Sequence, residues 1–472
     1  MRYRALATDY DGTVAHHGTI APETFESLEA LKRSGRALLL VTGRELPDLE
    51  RTCPRLDIFD RIVAENGALL YTPATRTERV LAEPPPAILG ETLRARGVDK
   101  ISIGKVIVAT WEPHEGTVIE TIRDLGLELQ VIFNKGAVMV LPSGVNKASG
   151  LKAALNDLGL SAHNTIGVGD AENDHAFLSV CECGVAVANS LPALKERADI
   201  TTLGVAGDGV RELIAAVIGD DLASFEPRLT RHCLPIGARD DETTVTVRAY
   251  GDTLLLAGGA ASGTSTLTTA LVEQLAERGY QFCLVDPEGD YSSMEHHVTL
   301  GDTHRPPSID EVMEVLHAPE RSVSVNLVAA SLDERQAFVS ELMGRLAELR
   351  SRLGRPHWVV LDEAHHVIPG PEHSASNALA PLGGSVALVT VNPAHLAERA
   401  IAAVNVCIPV GPAAMETLQQ FCDARRTAQP EIAEAASLDH GRAIFWRLAD
   451  PAPPIVFRTR MPQRERRHRG AA

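Results

Sequence analysis

No apolar run in this chain of 472 residues approaches the roughly 18 needed to cross a membrane, and its opening, "MRYRALATDYDGT", has no apolar segment followed by a cleavage site. A soluble, cytoplasmic protein with no membrane partner is expected. Cysteine is sparse: there are seven, scattered, without paired CxxC units. That spacing argues against a zinc ribbon or a disulfide framework and for reduced thiols, with Cys181 and Cys183 of "CEC" read as half-buried core residues. Positive charge is also in deficit. A formal net charge of -17 argues against wrapping nucleic acid over a broad basic face, leaving only a local patch or an oligomer's pore for such contact. Internal repeats and low-complexity tracts are absent.

The chain does contain enough apolar residues, 44%, to build more than one core, and its length calls for two or three domains. Short β-branched apolar runs alternate with amphipathic helical stretches, the pattern of parallel α/β sheets. The stretch "GDDLASFEPRLTRHCLPIGARDDETT" interrupts that rhythm with charge, Pro and Gly. The expected organisation is therefore a domain over 1–220 with a small α+β cap inserted at about 80–145, a linker over 221–240, a second α/β domain over 241–455 and a basic tail over 456–472. The tail reads as a solvated arm, or as a contact for nucleic acid or a neighbouring subunit.

In the first half, the buried strand of "YRALATDYDGTVA" ends at Asp9, followed by Asp11, Gly12 and Thr13. A second strand, "RALLLVTGR", ends at Thr42, Gly43 and Arg44; a third, in "NTIGVGDAENDHAFL", ends at Asp170, with Asp174 on the following turn; Lys147 opens a helix between them. Carboxyl ends of parallel strands are where such sheets place chemistry. The ordered set DxDGT, Thr, Lys and GDxxxD resembles the haloacid dehalogenase superfamily of phosphatases. "AENGALLY" and the position of the cap resemble its Cof-type, type IIB branch.

The residues also support a chemistry of their own. A carboxylate attacking a phosphate dianion meets like-charge repulsion of roughly 4 kcal/mol per unit-charge pair at about 4 Å and an effective dielectric of 20. A cation is needed there. Asp9, Asp170 and Asp174, with Asp11 or a backbone carbonyl at Tyr10 or Asp11, offer the hard oxygen ligands that suit Mg²⁺. Asp9 is the expected nucleophile, Asp11 the general acid and base, and Thr42 and Lys147 the partners of the equatorial oxygens. The resemblance adds that dehalogenases lack the second Asp, which favours phosphoryl transfer to water. Gly43, Asn66 and Asn173 are candidates for substrate or phosphate contact, with a buried structural amide as the alternative for the two asparagines. Arg94, Arg96, Lys105 and Lys135 are cap cations that either grip an anionic leaving group or are solvated charge. The resemblance implies a small phosphomonoester, such as a sugar phosphate or phosphoglycolate.

In the second half, "AGGAASGTSTL" fits GxxxxGK[ST] at Gly258, Gly263 and Ser265 but places Thr264 in the lysine slot. "RPHWVVLDEAHHV" ends a strand at Asp362 and Glu363; "YQFCLVDPEGDY" ends one at Asp286; "LVTVNP" offers Thr390 and Asn392 as γ-phosphate sensors. His365 and His366 read as helix-start residues. "DPEGDY" and "DEAHH" resemble the HerA/FtsK-like branch of P-loop ATPases, here with a degenerate loop that keeps its backbone cradle and lacks the bridging cation. The expectation is an Mg²⁺-dependent phosphomonoester hydrolase with a nucleotide-binding or pseudo-ATPase module, ATP a candidate ligand and homo-oligomer formation a candidate role. The alternative is an oligomeric motor or DNA-associated switch with the phosphatase as effector.

Overall fold

The computed structural model describes residues 1–368, 385–432 and 438–463. The chain divides into two compact units, Met1–Arg231 and His232–Ala472. The first is built on an eight-stranded sheet. Its strands run in the order Ile200–Thr201, Cys183–Ala186, Thr165–Gly169, Ala5–Thr8, Ala37–Val41 and Arg61–Ala64, all parallel, followed by antiparallel Leu69–Thr72 and Thr77–Val80. The central strands are buried on both faces, which is why they read as continuous apolar runs rather than alternating ones. Leu28 and Leu31 of helix Pro22–Arg33, with Val210 and Leu213 of helix Ala206–Asp220, pack with Leu6, Leu38 and Leu40 of the sheet.

Between the strand Thr77–Val80 and the helix Lys147–Asp157 stands a smaller α+β layer. Its antiparallel strands lie in the order Ser102–Ile103, Val108–Trp111, Ala137–Pro142 and Leu129–Asn134, covered by the helices Ala87–Ala95 and Glu115–Asp124. Leu89, Leu93, Val118 and Ile122 close a core of their own against Val138 and Val140. The last hairpin turns through only Lys135 and Gly136, both at positive φ (49° and 83°), the two-residue geometry that matches strand twist.

The second unit is α/β with an eleven-stranded sheet. Seven parallel strands run Val406–Pro409, Thr253–Ala257, Val386–Thr390, Trp358–Leu361, Phe282–Asp286, Val323–Asn326 and Val298–Leu300. Antiparallel Arg442–Arg447, Ile455–Thr459, Leu234–Ala238 and Thr244–Val247 extend it beyond Val406–Pro409. Two boundaries therefore differ from those read in the sequence. The stretch 221–240 contains a strand of this sheet, Leu234–Ala238, which accommodates Pro235 beside a bulge between Pro235 and Gly237. Residues 456–459 belong to the strand Ile455–Thr459 rather than to a tail, and 464–472 lie outside the described residues. No helix among the described residues is long and apolar enough to cross a membrane.

Candidate active site

The strands Ala5–Thr8, Ala37–Val41 and Thr165–Gly169 deliver Asp9, Thr42 and Asp170 to one sheet edge, because the three are adjacent and parallel. Lys147 arrives from the first turn of the helix Lys147–Asp157. Its N-cap Asn146 accepts from the backbone N–H of Ala148 and Ser149 while Ser149 reciprocates, a capping box that fixes where the helix starts. Gly67 lets that helix approach the turn after Arg61–Ala64: a Cβ there would lie 1.9 Å from the Asn146 carbonyl oxygen.

The result is a buried cluster. Ligand atoms of Asp9, Asp170 and Asp174 lie within 4.8 Å of one another. Lys147 Nζ donates to Asp9 Oδ1 and to Asp174 Oδ1, each at 2.5 Å, while Asp174 Oδ2 accepts from the Asp170 and Ala171 N–H groups at 2.8 and 2.9 Å. Asp174 thus holds the loop and the lysine together. Burial and the neighbouring Asp174 charge push the Asp9 carboxyl above its ordinary value, with Lys147 pulling the other way. Burial works against the Lys147 charge, but Asp174 and Asp9 outweigh it and raise its pKa.

Asp11, read in the sequence as a ligand through its side chain or its carbonyl, presents the two groups differently. Its carboxylate turns away to Arg44, which donates from Nε to Oδ2 at 2.6 Å and from Nη2 to Oδ1 at 2.7 Å; only the Asp11 carbonyl faces the cluster. Arg44 also holds Asp48 at 2.6 Å. Thr42 is buried at the cluster's margin, and its Oγ1 accepts from the Arg44 N–H at 3.1 Å. Asn173 Nδ2 donates to Asn66 Oδ1 at 3.0 Å; Asn66 Nδ2 and Asn173 Oδ1 are buried without a hydrogen-bond partner. A Cβ on Gly43 would meet Asn173 Nδ2 at 3.5 Å. A cavity of about 730 Å³ opens above these groups, lined by Asp9, Asp11, Thr42 and Gly43 below and by Trp111, Lys135 and Met139 of the inserted layer.

Sequence reasoning did not assign three participants. Glu65, buried at φ 50°, accepts from the N–H groups of Lys105, Val106 and Ile107, so a core carboxylate grips the inserted layer. Asn189 Nδ2 donates to the Gly12 carbonyl at 2.8 Å. Arg44 was visible in "VTGR" but nothing local announced its pairing with Asp11. Of the cap cations, Arg96 pairs with Asp124 and Lys105 with Glu78.

In the second unit, Gly258 and Gly263 bound the loop between the strand Thr253–Ala257 and the helix Thr264–Glu277, and Gly263 is its N-cap at φ 99°. Thr264 Oγ1 and Ser262 Oγ lie 2.6 Å apart, so the hydroxyl in the lysine slot is engaged inside the loop; Ser265 follows in the first turn. Asp362 and Glu363 end a strand two places away in the sheet. Burial and the charges of Glu363 and Asp286 push Asp362 up to about 7. Asp286 accepts from the N–H groups of Gly289, Asp290 and Tyr291, and Thr390 Oγ1 lies 3.1 Å from His365 Nδ1. Arg442 pairs with Asp240 at 2.7 Å.

The family model of haloacid dehalogenase-like hydrolases matches residues 6–84 and 95–214. The chain is 30% identical over 225 residues to a phosphoglycolate phosphatase of Methanothermobacter thermautotrophicus, covering 46% of this chain and 99% of the relative. It is 29% identical over 226 residues to a phosphoglycolate phosphatase of Pyrobaculum aerophilum, covering 46% and 97%. A solved haloacid dehalogenase-like hydrolase from Bacteroides thetaiotaomicron aligns with a TM-score of 0.39 and 20% identity, over 46% of this chain and 99% of that one.

Proposed function

Because the chain belongs to the haloacid dehalogenase-like hydrolases through its first half, where it is a phosphatase of that type, we propose that it hydrolyses a small phosphomonoester, of the phosphoglycolate or sugar phosphate class, by way of an aspartyl phosphate on Asp9. The observation that carries the reading is the buried set Asp9, Asp170 and Asp174 tied by Lys147 beneath a cavity large enough for such a substrate.

The donor set fits a hard divalent ion: carboxylate oxygens of Asp9 and Asp170 and the Asp11 carbonyl converge on a place already attractive to a cation, since Lys135 Nζ lies against Asp170 and that carbonyl. Mg²⁺ bound there would neutralise phosphate charge. Asp9 Oδ attacks phosphorus, the bond to the leaving oxygen breaks, and Lys147 with the Thr42 hydroxyl offsets negative charge on the transferring group. Asp11 gives the leaving oxygen its proton and later takes one from the hydrolytic water. Arg44 holds both Asp11 oxygens, so the acid role requires that carboxylate to rotate away from the guanidinium. Asn66 and Asn173, with unpaired amide atoms, would accept or donate to the substrate.

The second unit is read as a P-loop module whose loop 258–265 cradles phosphate through backbone N–H groups and a helix N-terminus, without rapid hydrolysis. Its support is the sequence of strand, loop and helix, with the carboxylate-ended strand Trp358–Leu361 two places away in the sheet. The expected role is regulation or assembly. Phosphate release from phosphoglycolate, hexose phosphates and an aryl phosphate, with Mg²⁺ or chelator and with or without ATP, tests both parts. Release from none of them in Mg²⁺ would end the phosphatase proposal; ATP turnover at motor-like rates would end the pseudo-ATPase one.

A further inference from the structure

Lys135, at the point of the two-residue turn between Asn134 and Ala137, is half-exposed and brings its ammonium to the buried Asp170. Its Nζ donates to the Asp11 carbonyl at 2.8 Å and to Asp170 Oδ2 and Oδ1 at 2.8 and 3.1 Å. Every partner is an oxygen, and Asp170 belongs to the same cluster as Asp9 and Asp174. The turn after Asp11 leaves no space for a side chain beside this pair. At Gly12, which sits at φ 81°, a Cβ would come within 2.3 Å of Asp170 Oδ2 and 2.9 Å of Lys135 Nζ.

We propose that Lys135 is a resident counter-ion of the active site, whose ammonium competes with the divalent ion for Asp170 and the Asp11 carbonyl. The inference rests on the phosphatase reading above. With Asp9, Asp170 and Asp174 all ionised, three negative charges face the two positive charges of Lys147 and Lys135; exchanging Lys135 for a divalent ion then brings the cluster to neutrality. A divalent ion and an ammonium cannot share the same oxygens without close like-charge contact, so the two exclude one another. Metal loading then expels the lysine and releases the tip of the cap hairpin from the sheet edge, tying the inserted layer's position to the state of the metal seat.

The test is Mn²⁺ binding to the full chain without substrate, by calorimetry and by the free-ion EPR signal, in wild type, Lys135→Met, Lys135→Asn, Lys100→Met and Asp170→Asn. Asparagine tolerates the positive φ of the turn and is too short to reach Asp170, so it guards against a misfolded hairpin. Loss of one charge-assisted competitor should tighten binding at least about tenfold in both Lys135 variants. Lys100→Met, on the same cavity wall, should change it far less, which separates competition from a general change of field. Reductive methylation of Lys135, read by mass spectrometry, should rise when Mg²⁺ is added. Unchanged or weaker Mn²⁺ binding in both folded Lys135 variants, with binding lost in Asp170→Asn, overturns this inference and leaves the phosphatase site standing. Absence of Mn²⁺ binding in wild type and the Lys135 variants alike overturns both.

Discussion

Asp9 and Asp362 each follow a central parallel strand, and both are almost fully buried. Asp9 has Lys147 at 2.5 Å, and its neighbour Asp170 has Lys135 at 2.8 Å. The charges that act on Asp362 are those of Glu363 and Asp286, both anions, and the position where a phosphate-binding loop would supply a lysine is Thr264. The same topological device therefore raises both carboxyls by burial, and what differs between them is the company of cations. Where cations accompany the carboxylates, their charge offsets the repulsion a dianionic phosphate meets; where none does, that repulsion stands. A strand end rich in acid is a candidate site in either half, but the cations decide which one is poised for phosphoryl transfer.

The comparison breaks most sharply at its strongest member. Asp9→Asn should reduce phosphate release from an aryl phosphate about a thousandfold or more, because an amide does not form the acyl phosphate, while the fold persists. Steady-state release at near wild-type rates in that variant would remove Asp9 from the nucleophile's role. Lys147→Met asks instead what the cation does for the fold. It leaves Asp9 and Asp174 buried without their partner, and loss of one member of such a group costs about 3 kcal/mol, even with Asp9 able to take up a proton. Urea unfolding should register that loss, and Mg²⁺ should recover part of it by occupying the neighbouring oxygens. Stability equal to wild type would mean that Lys147 serves chemistry alone.

These variants also mark what the sequence made legible. Asp9, Asp170, Asp174 and Lys147 stand out in the chain because a buried strand run announces its own end and Asn146 announces the helix start; the sheet order then brings them together. Glu65, Arg44, Asn189 and Lys135 acquire their meaning from partners far away in the chain: Arg44 from Asp11, Lys135 from Asp170, Glu65 from three N–H groups at 105–107. No local periodicity encodes such pairs. The strand Leu234–Ala238 was hidden for a different reason: it has a neighbour on each side, and a bulge between Pro235 and Gly237 accommodates the proline that elsewhere signals a linker.

Thr264→Lys restores in the second half the ingredient that distinguishes the first. One charge-assisted contact of roughly 1.5 to 3 kcal/mol corresponds to a gain of one to two orders of magnitude in Mg-ATP affinity, measurable by calorimetry. The lysine must replace a hydroxyl engaged with Ser262, a small loss beside that gain. If neither wild type nor the variant binds nucleotide while both are folded, the loop is not a phosphate cradle.

The comparison can also be sharpened through the pH dependence of Asp362. Its carboxyl is raised to about 7 by burial and by Glu363 and Asp286, whereas in the unfolded chain it titrates near 3.9. Between those values the folded state holds a proton that the unfolded state has released. Stability contributed around this residue therefore declines as pH rises from about 4 to about 7 and levels off above. Asp362→Asn removes the titration and should flatten that decline, read as hydrogen-exchange protection of the strands Trp358–Leu361 and Val386–Thr390 in the intact protein. Asp9 is raised for the same primary cause, so its strand should follow the same direction in chelator, but there a divalent ion favours the ionised carboxylate and should reverse it. A pH slope around Trp358–Leu361 that persists unchanged in Asp362→Asn would mean that Glu363 and Asp286, both also raised by burial, carry it instead.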